Sequence, residues 1–311
     1  MSSGARSQEE AVAPTRRPIT LPRLAEMKEA GEPIVMVTAY DFPSAQVAEE
    51  AGVDIVLVGD SAANAVLGYD STVPVGMEEM LMLAKAVRRG LRTPILVGDM
   101  PFGSYEGSNE LAVANAQRFV KEAGCDAVKM ERGGSSVDRA RAVIRAGIPV
   151  MGHVGLTPQT ATTLGGYKAQ GKTAGRAAQV AEDALSLQAA GCFTIVFEAV
   201  PAAVTEGVVE KLEVPTIGIG AGPATAGQVL VFHDLLGINT GHMAKFVKRY
   251  ANVHDDMVKA VSAYAAEVRS RHFPEPDHVY GIEPAELEEF RRYLDQESLA
   301  SQKAWDWEPL P

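Results

Sequence analysis

Four acidic residues stand at the ends of short apolar runs: Asp60 closes residues 54–60, Asp99 closes 94–99, Glu131 closes 127–131 and Glu198 closes 194–198. One such acid is an ordinary helix cap or ion pair. Four of them, on strands whose ends converge on one rim, make an oxygen-rich centre. Asp60, Asp99 and Glu131 come from successive strands and suit a hard divalent cation such as Mg2+, with water and a bidentate ligand completing its shell. A 2-oxo acid offers such a pair through its carboxylate and ketone oxygens. Glu198 reaches the same ligand from another side, where partial desolvation makes a carboxylate an effective proton acceptor, so it is the general-base candidate. A solvent-facing or salt-bridged Glu198 is the alternative.

Lys129 lies two residues before Glu131, so in a strand both point to one face. An ammonium there neutralises a substrate carboxylate; a Schiff-base lysine is the rival, disfavoured because a neighbouring acid stabilises the charged form. His153, closing residues 149–153, either contacts substrate and relays a proton near neutral pH or is a satisfied structural histidine. Ser61 binds a substrate carboxylate or caps the following helix. Gly218, Gly220 and Gly222 allow close backbone approach to an anion, or simply a tight turn, and lack the GxGxxG spacing of a dinucleotide site. The chain carries no HExxH or Walker sequence.

These residues need a scaffold that brings strand ends together. Apolar strands at 33–40, 54–60, 94–99, 127–131, 149–153, 194–198, 215–220 and 228–233 alternate with helical patterns ending near Glu50 and spanning 77–89 and 109–123. A further helix opens at Ser135 with capping-box spacing, and another carries Val180, Ala184 and Leu187 on one stripe. In the 109–123 helix the stripe is Ala112, Ala116, Phe119, Val120 and Ala123. Continuous apolar strands between amphipathic helices fit parallel strands buried on both faces, and eight of them favour a closed (β/α)8 TIM barrel with additional C-terminal helices. The words AGVD, AGCD, AGIP and AGCF recur where a helix gives way to a strand. The expected organisation is a flexible lead at 1–17, a catalytic barrel with associated helices at 18–272 and an extension at 273–311. C-terminal helices over 253–271 and after Pro284 pack outside the barrel or at a subunit contact, and Trp305 and Trp307 lie on a tail. The Gly-rich loop at 160–173 is long enough to close over the mouth and limit water access.

With 40 acidic residues against 29 basic ones, a net charge of -11 opposes nonspecific binding to nucleic acid or anionic membrane. Residues 1–20 lack the apolar middle of a secretory signal, and no 18-residue apolar stretch suggests a membrane span, so the cytosol is the expected compartment. Cys125 and Cys192, each in an AGC turn before an apolar run, read as small buried side chains rather than a disulfide.

The order of several longer words resembles the ketopantoate hydroxymethyltransferase family over roughly residues 18–272. They are TAYDFPSA at 38–45, VGDS at 58–61, LGYDSTVPV at 67–75, DMPFGSY at 99–105, AVKME at 127–131, MGHVGLTPQ at 151–159, LGGYKAQGKT at 164–173, VFEAVP at 196–201 and PTIGIGAG at 215–222. The resemblance implies Mg2+ held by Asp60 and Asp99, with Glu131 directly or through water. It places Ser61, Asp99 and Lys129 at a ketoacid, His153 beside it, and Glu198 as proton acceptor. It also implies 5,10-methylenetetrahydrofolate as one-carbon donor to 3-methyl-2-oxobutanoate, and a large homo-oligomer, commonly a decamer. After Ser61 the chain reads AAN where many relatives have LGM, which alters the adjoining loop without touching the implied ligands.

Overall fold

Eight short strands pair in parallel in chain order: β1 (Ile34–Thr38), β2 (Ile55–Val58), β3 (Ile95–Asp99), β4 (Ala127–Glu131), β5 (Val150–Gly155), β6 (Thr194–Glu198), β7 (Thr216–Ile219) and β8 (Gly227–Leu230), which closes onto β1. This computed structural model describes residues 16–161, 166, 168–241 and 243–296. The tail with Trp305 and Trp307 and part of the 160–173 loop lie outside those residues.

Alternation along each strand sorts the apolar residues into two cores. Ile34, Met36, Ile55, Leu57, Ile95, Val97, Met151, Val196, Ile217 and Val229 form the inner one, to which α1 (Leu21–Glu29) adds Leu24 and Met27, plugging the N-terminal end. The intervening residues Val56, Val58, Leu96, Val128, Met130, Val150, Ile195 and Phe197 face the helices. Those are α2 (Phe42–Glu50), the short α3 (Ala62–Ala65), α4 (Met77–Gly90), α5 (Asn109–Ala123), α6 (Ser135–Arg145), α7 (Ala174–Ala190), α8 (Ala202–Val209) and α9 (Phe232–Leu235). The barrel expected from the strand pattern is therefore the fold.

Local chemistry sets most boundaries. Asp41 and Ser44 form a reciprocal capping box that starts α2. The glycines of the four AG words all take positive φ, at 71, 69, 89 and 103° for Gly52, Gly124, Gly147 and Gly191. The acids in two of those words pin strand starts: Asp54 accepts from Val35 N and Asp126 from Leu96 N, both at 2.8 Å. Arg16 pairs with Asp54 at the same end.

Three local expectations differ. α6 is capped by Gly134 at φ 60°, without a side-chain capping bond, so Ser135 lies inside the helix rather than at its cap. Val120 is exposed while Ala112, Ala116, Phe119 and Ala123 are buried, because Val120 lies about 80° round the helix from Ala112 at 100° per residue. The eighth strand stops at Leu230: Phe232 N donates to Thr38 Oγ1 at 2.9 Å instead of continuing the ladder, and α9 begins there.

The chain divides into two compact units, one ending at His254 and one beginning at Asp255. α10 (Val253–Ser270) contains no buried residue; its Tyr264 meets Phe273 edge-on, and α11 (Pro284–Gln296) follows. Cys125 and Cys192 are free and buried, as expected. No described helix is long and apolar enough to cross a membrane.

Candidate active site

The strand register sets Asp99 opposite Lys129 and Glu131 opposite His153 at the C-terminal ends of β3, β4 and β5. Asp60 enters from the turn after β2, where its backbone N donates to Asp99 Oδ2 at 3.0 Å. Glu198 completes the rim from β6. All seven residues singled out in the sequence, Asp60, Ser61, Asp99, Lys129, Glu131, His153 and Glu198, line one cavity of about 210 Å³, with Met36, Leu57, Val196, Ile219, Val229 and Phe246 forming its apolar wall.

Lys129 is the centre of the charge cluster. Its Nζ lies 2.9 Å from Asp99 Oδ1, 3.4 Å from Glu131 Oε1 and 3.1 Å from His153 Nδ1. Burial alone would favour the neutral amine, but Asp99, Glu131 and Asp60 hold the ammonium above the ordinary lysine range. The Schiff-base alternative thus lacks a free amine. Burial, reinforced by the charges of Asp99 and Glu131, pushes Asp60 well above the usual carboxylate range. Asp99 is raised too, by burial and by Glu131, against the pull of Lys129. Glu131, for which burial acts in the same direction, is nevertheless held low by Lys129 and His153.

His153 is contested. Burial and the Lys129 ammonium oppose the imidazolium, while Glu131 on Nδ1 and Glu198 on Nε2, each 3.3 Å away, outweigh them and raise the ring to about 9. Yet only a neutral ring can accept from the lysine at Nδ1, and that tautomer turns its remaining proton toward Glu198.

Three buried carboxyl groups thus crowd one ammonium. Asp99 Oδ1 faces the lysine Nζ at 2.9 Å and has no other hydrogen-bond partner. Among the described residues no group of three or more His, Cys, Asp or Glu side chains is spaced to hold a metal ion. Two carboxylates with water are, however, an ordinary protein share of an Mg2+ shell. Asp60 and Asp99 fit that share, and a divalent cation there would favour the charged forms that burial and neighbouring acids now oppose. The Glu131 oxygens are already engaged, Oε1 by Lys129 and His153 and Oε2 by Gln159 N.

Ser61 makes no capping bond; its Oγ sits 2.8 Å from the hydroxyl of Tyr40, a phenol that burial keeps neutral. Spacing did not single out Tyr40, Tyr105, Gln159 or Phe246. The first three fall inside the quoted words, which was the only available signal. Arg132 and Ala199, directly after Glu131 and Glu198, have φ of 75 and 49°, a left-handed conformation costing about 1–2 kcal/mol for a side-chain-bearing residue.

The glycine series is explained by packing. At Gly220, where φ is 64°, an added Cβ would meet Phe246 Cδ1 at 2.5 Å. Gly220→Ala is expected to lower stability by about 1–2 kcal/mol through the left-handed backbone, and to raise KM for substrate by moving Phe246 in the cavity wall. Denaturant unfolding and steady-state kinetics check both; unchanged KM would separate Phe246 from substrate.

Among solved structures, phosphoenolpyruvate phosphomutase from Streptomyces platensis subsp. rosaceus covers 91% of this chain and 99% of its own at a TM-score of 0.54 and 16% identity. A phosphonopyruvate hydrolase complexed with oxalate and Mg++ covers 90% and 99% at 0.55 and 14%. Both likenesses are of fold. In sequence, the 3-methyl-2-oxobutanoate hydroxymethyltransferase of Carboxydothermus hydrogenoformans is 52% identical over 270 residues, 87% of this chain and 98% of that protein. The mitochondrial 3-methyl-2-oxobutanoate hydroxymethyltransferase 1 of Oryza sativa subsp. japonica is 50% identical over 292 residues, 92% of this chain and 80% of that protein. Residues 18–276 match the ketopantoate hydroxymethyltransferase family across the whole barrel that carries the acidic rim, and the chain belongs to that family.

Proposed function

We propose that the chain transfers a hydroxymethyl unit from 5,10-methylenetetrahydrofolate to 3-methyl-2-oxobutanoate, giving 2-dehydropantoate and tetrahydrofolate in pantothenate biosynthesis. The observation that carries this reading is the half-buried Glu198 joined through His153 to the Lys129 cluster in one partly apolar cavity, in a chain about half identical to enzymes of that name. The homo-oligomer, a decamer by resemblance, belongs to the same reading and is tested by solution mass.

Bound Mg2+ would be held by Asp60 and Asp99, with Glu131 directly or through water, and would supply Lewis-acid stabilisation of charge developing on the ketone oxygen. The chain's own groups do the rest. Lys129 stays charged and compensates the substrate carboxylate, with the Ser61 hydroxyl and Asp99 at the same ligand. Glu198 accepts the proton from the tertiary carbon beside the ketone. His153, between Glu131 and Glu198, holds that carboxylate at the rim. The apolar wall suits the branched alkyl group and limits water around the carbon that attacks the donor's methylene.

Purified protein supplied with 3-methyl-2-oxobutanoate, methylenetetrahydrofolate and Mg2+ is expected to form 2-dehydropantoate. Turnover of a different 2-oxo acid and none of this one would overturn the assignment.

Asp60→Asn separates stability from function. The buried Asp60 anion is opposed by desolvation and two neighbouring acids, so in chelator the variant should melt a few degrees above the parent. It should also retain Mg2+ less well. An unchanged melting temperature with unchanged Mg2+ retention would show that Asp60 carries neither role.

A further inference from the structure

Gln159 is not part of the cavity lining, yet it touches the cluster on two sides. It lies in the short 3-10 turn Pro158–Thr160 after β5 and is 4% exposed. Its Nε2 donates to Asp60 Oδ2 at 3.2 Å and to the Met100 carbonyl at 2.9 Å, which uses both amide protons. Its Oε1 accepts from the Tyr105 hydroxyl at 2.7 Å, and its backbone N donates to Glu131 Oε2 at 3.2 Å.

The orientation of this carboxamide is determined by its partners. The Tyr105 oxygen accepts from Glu131 N at 3.3 Å, so its single proton goes to Gln159 Oε1. Inverting the amide would set its oxygen against the Asp60 carboxylate and the Met100 carbonyl, and its nitrogen against a donor. Burial leaves no water to repair those losses. The side chain therefore presents a donor, and only a donor, to one oxygen of Asp60, leaving Oδ1 for another partner. The backbone of the same residue fixes Glu131 Oε2 and leaves Oε1 to Lys129.

We propose that Gln159, oriented by Tyr105, is a positioning residue for the cation site: it fixes the carboxylate of Asp60 so that one defined oxygen is offered to the metal. This rests on the reading of Asp60 as a cation ligand. Metal ligands depend on such outer partners, whose removal typically costs about 10–100-fold in metal affinity or activity.

Mn2+ titration followed by electron paramagnetic resonance on the full chain tests it, using wild type, Gln159→Leu, Tyr105→Phe and the double variant. Gln159→Leu keeps the volume and removes the donor, and should weaken Mn2+ binding about 10–100-fold. Its kcat at saturating Mn2+ should fall much less than its metal requirement rises. Tyr105→Phe should weaken binding in the same direction by less, and should add nothing in the Gln159→Leu background. Two results would each overturn the proposal: wild-type Mn2+ affinity in folded Gln159→Leu, or a Tyr105→Phe effect of equal size in both backgrounds. A purely structural role predicts a lowered melting temperature with unmoved Mn2+ affinity, which counts against it. If Gln159→Leu does not fold, Tyr105→Phe decides, unchanged affinity being fatal. If wild type itself takes up no Mn2+, the cation reading falls and this proposal with it, a failure distinct from loss of the Gln159 effect alone.

Discussion

Glu198→Gln should slow the exchange of solvent deuterium into the tertiary carbon of 3-methyl-2-oxobutanoate by about 10²–10⁴-fold, the usual contribution of a positioned general base. Mn2+ binding and melting temperature should stay close to the parent's. Both halves follow from where the residue sits. Its side chain is 17% exposed against 0% for Glu131 and 1% for Asp99, so neutralising it removes no deeply buried charge. The amide has the shape of the carboxylate and can still face His153 Nε2, 3.3 Å from the present Oε2. What it cannot do is hold a proton taken from carbon. Exchange is the sharper assay because it reads proton removal without the folate donor. Unimpaired exchange would place the base elsewhere on the rim.

Much of this geometry was legible in the sequence because it is carried by period and position. An acid at the end of an apolar run is at the mouth once the strands form a barrel, so Asp99, Glu131 and Glu198 could be placed from strand ends alone. Lys129 and Glu131 share a face because side chains alternate. The network that orients them was not legible in the same way. Gln159 reaches Asp60 across a separation of 99 residues and Tyr105 reaches Gln159 across 54. No local spacing encodes such contacts. Loop conformation also decides between chemically equivalent readings: Ser61 could cap α3 or face the cavity, and it makes no capping bond while lining the cavity.

The misplaced details share a cause. Ser135 has the residue type of a cap, but Gly134 in the left-handed region takes the position. The eighth strand reads as apolar through residue 233, but the Thr38 hydroxyl captures Phe232 N and turns the chain into α9. In both, a tertiary or backbone contact outranks local propensity. The rim shows the converse, because Arg132 and Ala199 adopt positive φ against their own preference. They are held there by Arg132 N on the His153 carbonyl at 2.9 Å and Ala199 N on the Ile219 carbonyl at 2.8 Å. Local strain is thus concentrated beside the two acids that flank the His153 ring.

Lys129→Met should be the most destabilising change at the site when measured in chelator, at about 3–5 kcal/mol, the cost of leaving a buried ion pair without one partner. Methionine matches the lysine stem in length, so packing is largely kept and charge is what is lost. Asp60, Asp99 and Glu131 would then share a buried site without the ammonium that offsets them. Two signatures distinguish this from a packing defect. Mg2+ should raise the melting temperature of the variant more than that of the parent, because the cation replaces the missing charge. Stability in chelator should also fall as pH rises. Burial and the neighbouring acids already raise Asp60 and Asp99, so the folded state binds protons more tightly than the unfolded one. The corresponding stability is present below the ordinary carboxylate range and is lost as pH climbs through the raised values. Turnover should remain low even with saturating Mg2+, since the cation does not replace the ammonium proposed to compensate the substrate carboxylate. A variant that melts like the parent in chelator, with no added response to Mg2+ or pH, would mean that the three acids do not hold their charges together in the folded protein.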